Sequence, residues 1–107
     1  MAIETTVREA VSENAITRLH MYASAEPGGA ADLRVSKSYT RDGSYSGVLG
    51  KFLGYRVSWS VRAPGSRYWG KQYRTAPFAT EAEAHAFAKE KFAYCCEWLE
   101  RKLVAAA

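Results

Sequence analysis

The sequence predicts a two-layer α+β fold, an antiparallel sheet of about four strands packed on a long C-terminal helix with a short N-terminal helix beside it. Three observations carry this expectation. Residues 55–63 alternate, with Tyr55, Val57, Trp59, Val61 and Ala63 on one side and Arg56, Ser58, Ser60 and Arg62 on the other; period two is the signature of a half-buried strand. Ala84, Ala88, Phe92, Cys95, Leu99 and Leu103 recur at spacings of three and four, which is one face of a helix. Between the apolar runs stand turn signals, Arg41-Asp42-Gly43-Ser44 and Ala63-Pro64-Gly65-Ser66, whose Gly and Pro each have a backbone reason to be there.

Taken in order, Thr6-Val7-Arg8-Glu9 fits the S/T-x-x-E capping box, so the first fourteen residues are expected to open with a short helix. In residues 15–24 alternation sets Leu19, Met21 and Ala23 against Arg18, His20 and Tyr22, while Val11, Ala15, Leu19 and Tyr22 also fit a helix. Ile16, Thr17 and Tyr22 favour a strand. Glu26–Asp32 reads as a loop because of Pro27 and two glycines. Leu33–Thr40 is an expected strand, with Leu33, Val35 and Tyr39 facing in, Arg34, Ser36, Ser38 and Thr40 facing out, and Lys37 as an exception on the inner side. Tyr45–Gly54 holds three glycines and is either a bulged return strand or a tucked loop. After the turn at Ala63–Ser66 a second strand is expected through Tyr68–Thr75, ending at Pro77, which cannot donate to a ladder. Thr80-Glu81-Ala82-Glu83 is a second capping box and opens the helix. The chain is thus expected to be a single domain over 1–107, with a helix, strand and loop in 1–32, a basic sheet in 33–75 and the helix in 80–104.

With 107 residues, 48% of them apolar and 24% charged, the chain has the composition of an ordinary globular domain with one core. No stretch has the apolar length of a membrane span, and MAIETTVREA lacks the apolar run of a signal peptide. Cys95 and Cys96 are neighbours in the expected helix and point about 100° apart. They read as free thiols that fill the core, in a reducing, cytoplasmic setting. His20 and His85 have no partners at metal-ligand spacing. With no nucleophile elbow, P-loop or HExxH motif in view, neither metal, cofactor nor enzymatic activity is expected.

Charge is the functional signal. Net charge is +4, but residues 33–75 hold nine basic residues and one acid, Asp42, while the rest of the chain is acidic. A surface kept only for solubility needs charge but not one sign. Such a face of Arg, Ser and Thr suits a polyanion, and the residues expected to contact nucleic acid are Arg34, Arg56, Ser58, Arg62, Arg67, Lys71 and Arg74.

The segment from Tyr55 to Phe92, YRVSWSVRAPGSRYWGKQYRTAPFATEAEAHAFAKEKF, resembles the sheet-plus-helix DNA-binding domains of plant apetala-type factors. It is similar also to the arm-binding domains of phage tyrosine recombinases. The shared features are a strand with Arg and Trp, a turn, a second basic strand, a Phe-x-Thr corner (Phe78-Ala79-Thr80) and an Ala-rich helix. The resemblance implies that the sheet, not the helix, lies on DNA, through Arg56, Ser58, Arg62, Arg67, Lys71 and Arg74. Trp59 departs from that pattern by falling on the apolar side, and no catalytic or dimerising domain is expected in the residues that follow the segment. A second expectation belongs to another class: a small phage-encoded inhibitor, similar to anti-CRISPR proteins, that docks on a nucleic-acid-handling complex. There Glu81, Glu83, Glu90, Glu97 and Glu100 would imitate phosphates for a basic partner. At about 1.5 Å per residue the helix outruns one strand, so its Trp98–Leu103 end is expected to seek a partner, a second copy included.

Overall fold

The computed structural model describes residues 3–26, 28–41 and 49–106. Among these, strands β1 (Ile3–Glu9), β2 (Thr17–Ala25), β3 (Gly29–Arg41), β4 (Leu49–Arg62) and β5 (Tyr73–Arg74) precede helix α1 (Glu81–Ala106). The strands form one antiparallel sheet in chain order, β1-β2-β3-β4-β5. Each strand therefore pairs with its sequence neighbour, the arrangement that short connections favour.

The alternation in the sequence becomes the two faces of this sheet. Leu19, Val35 and Val57 stand opposite one another across β2, β3 and β4, as do Met21, Leu33 and Trp59, and Ala23, Ala31 and Val61. Ala84, Ala88, Phe92, Cys95, Leu99 and Leu103 of α1 close over them, and all six are buried. The helix packs on β3 and β4 and reaches β2. Its C-terminal half is held at close range, with the Leu99 side chain and Pro64 both packed near the Cα of Gly29.

Two sequence expectations are corrected here. The first is the N-terminal helix: Ile3–Glu9 is a strand, paired through seven consecutive residues with β2. The Thr6–Glu9 motif offers two local hydrogen bonds, and Val7, Ala10 and Val11 give a helix almost nothing to bury. The β-branched Ile3, Thr5, Thr6 and Val7 gain a complete ladder instead. This strand raises the count from about four to five. The second is the loop at Glu26–Asp32, whose last four residues already belong to β3. Buried Ala30 and Ala31 explain why a glycine-rich start is still a strand.

The return strand, expected over Tyr68–Thr75, is much shorter. Only Tyr73 and Arg74 pair with β4, opposite Trp59 and Ser58. The contact then continues irregularly: Thr75 N donates to Val57 O at 2.9 Å, and Tyr55 and Phe78 exchange hydrogen bonds of 2.9 and 2.7 Å. The turn at Ala63–Ser66 is as the sequence implies, with Ser66 N donating to Ala63 O at 3.1 Å and Gly65 at φ 83°, the values of a Pro-Gly type II turn. Gly54, at φ 127°, is required where the chain bends under Phe78, because a Cβ there would meet the Phe78 carbonyl. The Asp42–Ser44 turn and residues 45–48 of the ambiguous stretch lie outside the described residues; from Leu49 onward that stretch is strand.

The helix start uses half of the second capping box, the bond from Glu83 N to the Thr80 hydroxyl, while the Glu83 carboxylate takes the Thr80 hydroxyl rather than its backbone N–H. Glu83 N donates to Thr80 Oγ1 at 3.2 Å, and the Thr80 hydroxyl donates to Glu83 Oε1 at 2.8 Å. Arg18 locks this end to the sheet. Its Nε donates to Glu81 Oε1 at 2.8 Å while a guanidinium nitrogen donates to Ser12 O at 2.7 Å. The register shift between Thr17 and Leu19 frees Arg18 from strict alternation. Lys37, the odd cation on the inner side, donates to Glu13 O at 2.6 Å, so it holds the β1–β2 connection.

Candidate nucleic-acid interface

The face of the sheet opposite α1 carries the polar half of each alternating strand. Register places Arg8 opposite His20, His20 opposite Arg34, Arg34 opposite Ser58 and Ser58 opposite Arg74. Five strands thus contribute one residue each to a single row. At about 4.8 Å between strands, the row runs about 19 Å. Thr6, Tyr22, Asp32 and Ser60 form the next row, and Glu4, Ser24, Ala30 and Arg62 the one after. Ser36 and Arg56 pair on the other flank.

The expected contact residues divide. Arg34, Arg56, Ser58, Arg62 and Arg74 share the open face by register. Lys71 does not join them: its ammonium lies 5.5 Å from the Tyr73 ring, which stacks on Trp59 on the helix side of the sheet. Arg67 is exposed on the connection between β4 and β5. Among the described residues no carboxylate engages Arg56 or Arg62. Arg62 Nε donates to Gly28 O at 3.1 Å, and its guanidinium lies 5.2 Å from the Trp69 ring. Arg56 Nε is shielded from water with no partner among the described residues.

Two residues of this face escape sequence reasoning. Arg8 falls in the segment expected to be a helix, which hides its place at the end of the row. Asp32 falls in the expected loop, one residue outside the basic segment. It sits mid-sheet, with Oδ1 2.5 Å from His20 Nε2 and Oδ2 3.6 Å from the Arg34 guanidinium. Asp32 orients both neighbours and lowers the local charge, but Arg34 stays half exposed. Beside this trio is a shallow hollow of about 280 Å³ lined by Asp32, Arg34, Ser58, Ser60 and Gln72. Its donors are a guanidinium, hydroxyls and an amide, the groups that a phosphate oxygen takes, set beside the Asp32 carboxylate, which opposes an anion. Among the described residues no hydroxyl hydrogen-bonds to His20.

Trp59 faces the helix, as its alternation implies, and packs against Phe87 at 5.9 Å between centroids. The Lys91 ammonium lies 5.2 Å from the Trp59 ring and 5.3 Å from that of Tyr94. The acids expected as phosphate mimics do not form a uniform surface. Glu81 is held by Arg18 and Glu83 by Thr80, and Glu90, Glu97 and Glu100 alternate along α1 with Lys89, Lys91, Arg101 and Lys102. The Trp98–Leu103 end of the helix does not overhang. Leu99 and Leu103 are buried within the fold, and Lys102 lies over Trp98 at 5.6 Å. Cys95 is buried and Cys96 half-buried, and both are free. Burial pushes both thiols above their ordinary value, helped by Cys96 at the one and Glu100 at the other. No described helix is long and apolar enough to cross a membrane. Comparison with protein families, curated proteins and solved structures gives no match.

Proposed function

We propose that this chain is a non-enzymatic DNA-binding protein whose open sheet face lies on the phosphates of a duplex. The observation that carries this reading is the in-register row Arg8–His20–Arg34–Ser58–Arg74, on the face that the helix leaves free. Its three arginines are exposed. Arg56 and Arg62 flank the row, and serine hydroxyls stand between the guanidinium groups. A major groove is about 12 Å wide and admits a two-stranded ribbon. A row of about 19 Å is too wide to enter it whole, so the sheet bridges the groove and takes its contacts from the backbones. Such contacts fix position and carry little sequence information. Tyr22, at a register position, and Trp69, whose ring lies 5.2 Å from the Arg62 guanidinium, are aromatic residues that the described chain brings to this face.

Fluorescence anisotropy with a generic labelled duplex tests the reading. Affinity is expected to fall steeply with salt, in proportion to the phosphates neutralised. Arg56→Ala with Arg62→Ala is expected to weaken binding while the circular dichroism spectrum is retained. A chain that ignores duplex DNA even at low ionic strength contradicts it. If that chain instead forms a stoichiometric complex with a nucleic-acid-handling protein, the inhibitor reading takes its place.

A further inference from the structure

The two edges of the sheet are built differently. β5 ends it with two paired residues, whereas β1 presents a strand of seven, Ile3–Glu9. The β1 sequence, IETTVRE, contains no Pro or Lys, and its register with β2 is free of bulges. Of the devices by which proteins block an exposed edge it carries only charge, Glu4 and Arg8 on the open face and Glu9 on the helix side. Ala10 N donates to Arg18 O at 3.0 Å. By the alternation of an antiparallel ladder, Arg8, Thr6 and Glu4 then also turn their backbone groups to β2. Ile3, Thr5, Val7 and Glu9 turn theirs to the outer edge, where no strand pairs among the described residues. Val7, on the helix side of the sheet, is 57% exposed.

We propose that β1 pairs antiparallel with β1 of a second copy about a two-fold axis at Thr6, joining two sheets into one. The strand is self-complementary in that register. Thr6 meets Thr6 of the other copy, and Glu4 meets Arg8 on both sides of the axis. Opposite charges and paired threonines are the favourable cross-strand combinations. The outward-bonding residues Thr5 and Val7 then oppose each other and exchange hydrogen bonds, while Glu4, Thr6 and Arg8 occupy the closer, non-hydrogen-bonded positions. Centring the axis on Thr5 or Val7 would set Glu4 against Thr6 or Ala10 and leave the charges unmatched. Because the axis is perpendicular to the sheet, both helices fall on one side and both arginine-bearing faces on the other. The pairing stands on the strand's own chemistry and does not depend on DNA.

Sedimentation equilibrium and thiol cross-linking test it. The wild-type chain is expected to show a concentration-dependent monomer–dimer equilibrium. Glu4→Arg alone and Arg8→Glu alone, each placing like charges together twice, should weaken the dimer about tenfold. The double variant, which restores opposite charges, should recover it. In a Cys96→Ala background, Thr6→Cys should cross-link on mild oxidation, since Cα atoms about 4.5 Å apart at such a position lie within disulfide reach. Thr5→Cys, which would face Val7, should cross-link far less. A chain that stays monomeric to millimolar concentration overturns the proposal, as does a dimer that Glu4→Arg leaves unchanged or one in which Thr5→Cys cross-links as well as Thr6→Cys.

Discussion

The two faces of this sheet are made by the same strands and differ only in which alternate residues they show. Toward the helix stand Leu19, Met21, Leu33, Val35 and Val57, all buried. Away from it, at neighbouring positions, stand His20, Arg34, Ser36, Arg56 and Ser58, which are exposed or half-buried. The inner face makes the fold and is used up in doing so. The outer face is left open, which frees its arginines for the contact proposed above. On that reading stability and binding are separable by a one-residue step along a strand.

The largest effect expected from breaking that contrast is at Leu33, 1% exposed at the centre of the sheet. Leu33→Ala should cost about 2–5 kcal/mol in urea unfolding. Ser58→Ala, on the other face of the adjoining strand, should stay within about 0.5 kcal/mol. Equal costs at the two positions would remove the distinction between the faces. A smaller effect is expected at the helix start, where Thr80→Ala loses the bond to Glu83 N and should cost about 1 kcal/mol. Smallest is a pH effect at the two thiols. Their raised values mean that the unfolded chain ionises first as pH climbs past the ordinary thiol value of 9.0. Stability is full below that pH and declines as it rises through the folded-state values. Replacing both cysteines with Ala should flatten this alkaline decline; an unchanged profile would assign it to other groups.

The inner face is legible in the sequence because burial writes a period. Residues 55–63 and the stripe Ala84–Leu103 each repeat one period over enough residues to leave a single assignment. Where the signal is short, local motifs mislead. Thr6-Val7-Arg8-Glu9 satisfies a capping box that the structure does not use, while the same four-residue pattern at Thr80 is used in part. The two motifs differ in the chain beyond them: an apolar helical stripe of more than twenty residues after Thr80, and almost none after Thr6. The return strand is over-read for a related reason. A strand returning directly after the turn at Ala63–Ser66 is the simple expectation, but Gly70 N bonds to Val61 O and the chain joins the sheet only at Tyr73. The outer face is legible only as composition. Its row needs the register of five strands, which no single segment encodes. One end of that row, Arg8, lies in the element mistaken for a helix, and its acidic counterweight, Asp32, lies in the expected loop.

The most direct measurement is the salt dependence of duplex affinity for the wild-type chain and for Arg8→Ala, Arg34→Ala and Arg74→Ala combined. If the row lies on phosphates, the logarithmic slope should flatten by about 0.9 for each arginine that had neutralised one, with the unfolding midpoint little changed. An unaltered slope and affinity in the folded triple variant would place the DNA contact elsewhere, or deny that there is one.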